Sequence, residues 1–152
     1  MSSVAAAPPE AVGRLTIWRD TLRVIGAFPV FGTGVGTFAE AMFVYQQAAR
    51  TVLFNHAHNE YLQIAAEGGL LMLICVGTGL VMLARAARAA LASDASTYRY
   101  VRIGACAGLV AIAVQSIWET GLRAPANLVL AAILAGMAVA NRVQPNVEAE
   151  AA

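Results

Sequence analysis

Apolar and polar positions divide the chain into a helical, amphipathic first part and a second part of nearly unbroken apolar runs. From Arg14 to Phe28, Leu15, Trp18, Leu22 and Ile25 recur at helical spacing, while Thr16, Arg19, Asp20 and Arg23 fall mostly on the other side. This pattern predicts an amphipathic helix too polar to cross a membrane. Ahead of it, the Ala- and Pro-rich residues 1–13 read as a disordered lead-in, with Pro8-Pro9 resisting helix formation and no signal-peptide pattern. Pro29 ends the helix, and Gly32-Thr33-Gly34-Val35-Gly36 predicts a turn. No strand precedes these glycines and no Lys-Ser/Thr comes after them, so a conformational break is favoured over a phosphate-cradling loop. A second helix is expected over about Thr37 to Arg50, with Phe38, Met42 and Tyr45 along one side, and Thr51 to Asn55 connects it to a histidine-containing segment at 56–63.

Three apolar runs occupy the rest: Gly68 to Ala84, about Val101 to Trp118, and about Pro125 to Ala140. Each falls a little short of the roughly 20 residues that cross a bilayer perpendicularly, and extension through Ile64-Ala65-Ala66 or Ala86-Ala87 supplies the missing length. The expected fold is all-α: a polytopic membrane protein with an outer-facing amphipathic segment over residues 14–63, three transmembrane helices within 64–141, and a tail at 142–152.

Composition strengthens the membrane reading. Of 152 residues, 59% are hydrophobic and 12% charged, against about 25% charged in ordinary soluble domains. The formal charge of +1 gives no basis for nucleic-acid binding. Arg85, Arg88, Arg99 and Arg102 crowd the loop between the first two runs and Arg142 comes after the third, which predicts those ends to be cytoplasmic. Arg14, Arg19, Arg23 and Arg50 on the opposite side work against that count, partly offset by Asp20 and Glu40. Cys75 and Cys106 sit inside apolar runs and do not suggest a disulfide framework. Gly77, Gly79, Gly104 and Gly108 offer small surfaces for helix packing.

Titratable groups concentrate in His56-Ala57-His58-Asn59-Glu60-Tyr61-Leu62-Gln63, directly before the first apolar run. A metal site would need ligands that a chain with two histidines does not supply. Acid–base work is better matched, because an imidazole titrates near neutrality and can take a proton from a hydroxyl. Asn59 or Asn55 can cap the helix that begins here, and its first amides favour an anion. The bland alternative is interfacial decoration, with Tyr61 in an aromatic belt; composition and spacing leave the two open. Arg14 pairs the same alternatives, a planar fork for phosphate oxygens or a solvated helix face, and here the structural reading leads. Glu119 and Arg123 stand four apart, a helical ion-pair spacing, with Gln115 one turn earlier. They are candidates to line the pocket of His58, and local pairing explains the first two equally well.

Taken in order, Arg14-x-x-x-Trp18, Phe28-Pro29-x-x-Gly32-x-Gly34-x-Gly36-x-Phe38, His56-Ala57-His58-Asn59-Glu60-Tyr61-Leu62-Gln63 and Glu67-Gly68-Gly69-Leu70 resemble the O-antigen ligase and polymerase superfamily of bacterial envelope glycan enzymes. The resemblance covers about residues 14–141. It implies glycosyl transfer without metal or cofactor at the periplasmic face of the inner membrane. The donor would be a glycan on undecaprenyl diphosphate, and the acceptor a sugar hydroxyl on lipid A core or on a second carrier-linked glycan. Carried over, His58 would activate the acceptor hydroxyl and Arg14 would hold the diphosphate. His56, Asn59, Glu60, Trp18, Glu119 and Arg123 would contact substrate around them. The resemblance also implies a longer polytopic protein, of which this chain corresponds to the C-terminal portion, with further helices or a separate polytopic subunit completing the carrier groove. A non-catalytic scaffold or split subunit of an envelope polysaccharide assembly complex is the rival expectation.

Overall fold

The computed structural model describes residues 9–47 and 54–140. Among them all regular structure is helical: α1 (Pro9–Ala27), α2 (Phe38–Tyr45), α3 (Glu60–Ser93), α4 (Tyr98–Gln115) and α5 (Pro125–Val139), with a 3-10 turn at Gly121–Arg123 between the last two. The all-α expectation holds. Its details shift in four places.

α1 starts at Pro9, inside the expected lead-in, because a proline at the head of a helix gives up an N–H that would have no partner there. Residues 1–8 and the tail at 141–152 lie outside the described residues, as does the connector at 48–53. The buried face of α1 is also not the stripe that spacing suggested. Ile17, Asp20, Thr21 and Val24 point inward, and Leu15 and Leu22 are more than half exposed. Two polar residues can be inside because each is answered. Asp20 accepts from the Gln47 backbone N–H at 3.0 Å and from Arg23 at 2.7 Å, while the Thr21 hydroxyl donates to the Ile17 carbonyl.

α2 is shorter than predicted. It ends at Tyr45, and Gln46 is already extended. Its Phe38, Ala41 and Met42 close a small core with Val24 of α1, Ala57 of the motif and Ala66 of α3. Burying a Phe or Met fully contributes about 1.5–3 kcal/mol, so this cluster fixes the amphipathic helices against the head of α3.

α3 is bent at Gly69, whose φ of 60° and ψ of −160° no other residue adopts comfortably. The glycine turn lies against this kink. Thr33 and Gly34 donate backbone N–H groups to the Ala66 and Glu67 carbonyls at 2.9 and 2.8 Å, and Leu70 and Leu71 donate to Pro29 and Val30 at 2.9 and 3.1 Å. Those bonds satisfy carbonyls and amides that the kink removes from the helical ladder. A Cβ on Gly32 would meet Glu67 backbone, and one on Gly69 would meet Val30 backbone. The glycines are a conformational break, as their sequence context predicts, and they also serve a purpose it does not show, which is close approach to α3.

Of the three expected spans, α3 is the helix that is long and apolar enough to cross a membrane among the described residues, with a mean hydropathy of 2.1 in its best window and only 6% of that window buried. The lipid-compatible stretch begins after the kink, at Leu70. α5 is apolar but has 15 residues, and α4 carries Arg99 and Arg102 in its first turns. These two helices pack along each other, with Gly108 against Leu134, whereas Gly77, Gly79 and Gly104 face open space. At the end of the bundle far from His58, Arg102 is buried and donates to the Ala138 and Ala140 carbonyls, both at 2.9 Å, and to Asp94 at 3.2 Å. Arg102 thus caps α5 and joins it to the end of α3.

Candidate functional site

At the near end, the connector between α2 and α3 is held residue by residue. The Trp18 indole N–H donates to the Ala57 carbonyl at 3.0 Å, and the Ala57 N–H donates to the buried Gln63 side chain at 3.0 Å. His58 comes next, in the left-handed region at φ 49°, a conformation that costs a non-glycine residue about 1–2 kcal/mol and turns its side chain away from the path of the chain. Asn59 then caps α3, its side-chain oxygen accepting from the Leu62 N–H at 3.0 Å. The Glu60 N–H donates to the Ser116 carbonyl at 2.8 Å, and the Tyr61 hydroxyl to the Ala113 carbonyl at 2.8 Å. Both bonds tie the motif to the end of α4.

That tie brings in Glu119. α4 stops at Gln115, a turn follows at 116–118, and the Trp118 and Glu119 amides return to the Gln115 carbonyl, so Glu119 directly follows that turn. Its Oε1 stands 3.2 Å from Nη2 of Arg14, which is 105 residues away in sequence, and its Oε2 stands 3.6 Å from Nδ1 of His58. Three expected site residues from three separate segments therefore meet on one carboxylate. The His58 Nδ1 is enclosed without a hydrogen-bond partner, although the side chain as a whole is 42% exposed, so the open part of the imidazole is its other side.

Glu119 and Arg123 do not pair with each other, contrary to the expectation from their spacing, because residues 116–120 are not helical. Arg123 instead donates to Glu67 Oε2 at 2.7 Å and lies 3.7 Å from Glu60 Oε1. Glu67 is 3% exposed and also accepts from Gln63 at 3.2 Å. Burial works to raise the Glu67 carboxyl, but hydrogen bonds from Arg123, Gln63 and the Gly36 N–H outweigh it and hold the group below its ordinary value. For Glu60 the balance is reversed. Burial raises it, the Arg123 charge opposes that, and neighbouring Glu67 adds to the rise. Both carboxylates precede the kink, outside the apolar stretch.

Of the expected site residues, Arg14, His58 and Glu119 converge. Glu60 and Arg123 form a second cluster with Glu67, while Trp18 and Asn59 spend their polar atoms on the backbone of the motif. His56 is exposed. Gln115 lines a cavity of about 150 Å³ with Ile112, Ser116, Gly121, Leu122, Asn127 and Leu130, a lining that does not include His58. Sequence reasoning does not single out Gln63 and Glu67. Gln63 and Glu67 are four apart and Glu60 and Glu67 seven apart, so one face of a helix is signalled, but their cation lies 56 residues beyond Glu67.

Basic, imidazole and carboxylate groups that are each more than a third exposed, beside a helix long and apolar enough to cross a membrane, suit an anionic substrate and a proton transfer. No curated protein and no solved structure matches the chain. The O-Antigen ligase family profile matches residues 1–77, which carry α1, the glycine turn, the His56–Gln63 motif and the kink of α3. That match spans half of the chain, and the chain belongs to the O-antigen ligase family.

Proposed function

We propose that the chain takes part in glycosyl transfer from an undecaprenyl-diphosphate-linked glycan to a sugar hydroxyl at the periplasmic face of the inner membrane. The hydroxyl belongs to lipid A core or to a second carrier-linked glycan. The observation that carries this reading is the meeting of Arg14 and His58 at Glu119, beside the head of the spanning helix. α4 and α5 would complete a three-helix membrane region around α3, and a polytopic partner or further helices would complete the carrier groove.

In the reaction, His58 takes the proton of the acceptor hydroxyl on Nε2 as that oxygen bonds to the anomeric carbon. The bond from this carbon to the diphosphate oxygen breaks with its electron pair. Undecaprenyl diphosphate departs with one more negative charge, and the imidazolium returns its proton to solvent. Arg14 supplies fixed positive charge where that negative charge develops, the setting in which an electrostatic contact is most effective. Its present pairing with Glu119 is no obstacle. Both side chains are more than a third exposed, and such ion pairs are worth about 0–1 kcal/mol, less than a bidentate guanidinium–phosphate contact offers. Trp18, Asn59, Glu60 and Arg123 shape the frame around the substrate, and His56 lies at its open rim.

The test is transfer of a labelled glycan in proteoliposomes holding the chain with the polytopic membrane component, donor and acceptor lipid. Wild type transfers and His58→Ala does not. Undiminished transfer by His58→Ala would contradict its role as base, and absence of transfer by the wild type would contradict the function. A chain that supports no transfer yet co-purifies with the polytopic component would be a scaffold.

A further inference from the structure

We propose that Glu119 is a positioning residue for His58: it holds the imidazole with its proton on Nδ1, so that Nε2 faces outward as a bare acceptor. The proposal deepens the reading of His58 as a base and rests on it for its catalytic meaning, but not for its structural content.

A neutral imidazole carries one N–H, and the partner of one nitrogen decides which nitrogen keeps it. In this chain Nδ1 is the enclosed nitrogen, and the carboxylate oxygen nearest to it is Glu119 Oε2 at 3.6 Å. That distance is a few tenths of an ångström beyond a hydrogen bond, and catalytic hydrogen bonds are commonly long in a free site and tighten with substrate. A carboxylate on the Nδ1 side favours the proton there. Once His58 has accepted a second proton on Nε2, the same carboxylate stabilises the imidazolium.

Both partners are held by backbone geometry. His58 is turned by its positive φ and fixed between the Ala57 bonds and the Asn59 cap. Glu119 directly follows the turn at 116–118, whose Ser116 carbonyl accepts from the Glu60 N–H, two residues after His58. Arg14 completes the arrangement by holding the other carboxylate oxygen. In the substrate-free site that contact limits the rotation of the carboxylate and leaves Oε2 towards His58. Glu119 is the carboxylate paired with the imidazole and Arg14 reaches it through Glu119; Glu60 is close in sequence but pairs towards Arg123.

With only two histidines in the chain, nitrogen NMR of the full, [15N]histidine-labelled protein in lipid nanodiscs reads the tautomers directly, and exposed His56 is the internal reference. Wild-type His58 is expected as the Nδ1–H tautomer at neutral pH. In Glu119→Ala that bias disappears, while the His56 signals stay in place. Glu119→Gln keeps an acceptor for Nδ1–H, so it preserves the tautomer. In the transfer assay Glu119→Ala lowers kcat by about a hundred-fold, the lower range for a general base, with KM for donor changed much less. An unchanged His58 tautomer in Glu119→Ala would overturn the proposal, whether or not transfer is observed. The predicted tautomers without transfer in the wild type would leave the positioning standing and remove the glycosyl-transfer reading.

Discussion

Gly69→Ala is the sharpest structural perturbation available. The new Cβ would lie 2.5 Å from the Val30 carbonyl carbon and oxygen and 2.6 Å from the Gly32 nitrogen, all backbone atoms with no rotamer to escape through. The φ/ψ pair of 60° and −160° adds strain of about 1–3 kcal/mol for a residue with a side chain. Relief requires the glycine turn to move off α3, which breaks the Leu70 and Leu71 bonds to Pro29 and Val30. Each such bond is worth about 0.5–1.5 kcal/mol. The sum is about 2–6 kcal/mol, roughly thirty-fold or more in the local opening equilibrium. Hydrogen exchange read by mass spectrometry in nanodiscs should show Thr33, Gly34, Leu70 and Leu71 exchanging at least that much faster. Gly77→Ala is the matched control, since a Cβ there meets nothing within 4 Å and alanine in a helix interior is favoured by about 0.5–1 kcal/mol. Equal protection in Gly69→Ala and wild type would refute the claim that the kink staples the turn.

Other perturbations have defined signs. Glu67, held low, adds stability that is present above the ordinary carboxylate range and lost as pH falls through its folded value. Glu60, held high, acts oppositely, its charge costing the folded state stability until it is protonated. Glu67→Gln should therefore lower the melting midpoint at pH 7 and flatten its acid dependence, a loss of about 1–3 kcal/mol, whereas Glu60→Gln should leave the midpoint equal or higher. Trp18→Phe removes the donor to the Ala57 carbonyl, costs about 1 kcal/mol and should speed amide exchange at Ala57 and His58. Arg102→Ala leaves two carbonyls and Asp94 without their guanidinium, and should lower the melting midpoint without altering donor binding.

How far the sequence can be read depends on the range of the interaction. Helices and the glycine break depend on neighbours within a few residues and are legible, as is a cap for α3, left between Asn55 and Asn59 until the structure gives Asn59. The inward face of α1 is not, because Asp20 and Thr21 look solvent-facing until the Gln47 amide and the Ile17 carbonyl are known to answer them. Helical spacing makes a pair of Glu119 and Arg123. The chain ends α4 at Gln115 instead and sends the two charges to different partners. Three apolar runs look like three equivalent spans, and among the described residues a single helix meets that standard because α4 opens on arginines and α5 is short. His58 and Arg14 are named by resemblance. Their convergence depends on a carboxylate more than sixty residues beyond the histidine, which no local pattern encodes.

The central claim is that one site holds the diphosphate with Arg14 and moves the proton with His58, and single-turnover transfer with donor binding measured separately tests it most directly. His58→Ala is predicted to retain the undecaprenyl-diphosphate donor while transfer drops by at least about a hundred-fold, the scale of a lost general base; Arg14→Ala is predicted to lose donor affinity as well as rate. Donor binding and transfer both at wild-type levels in either variant would contradict the account.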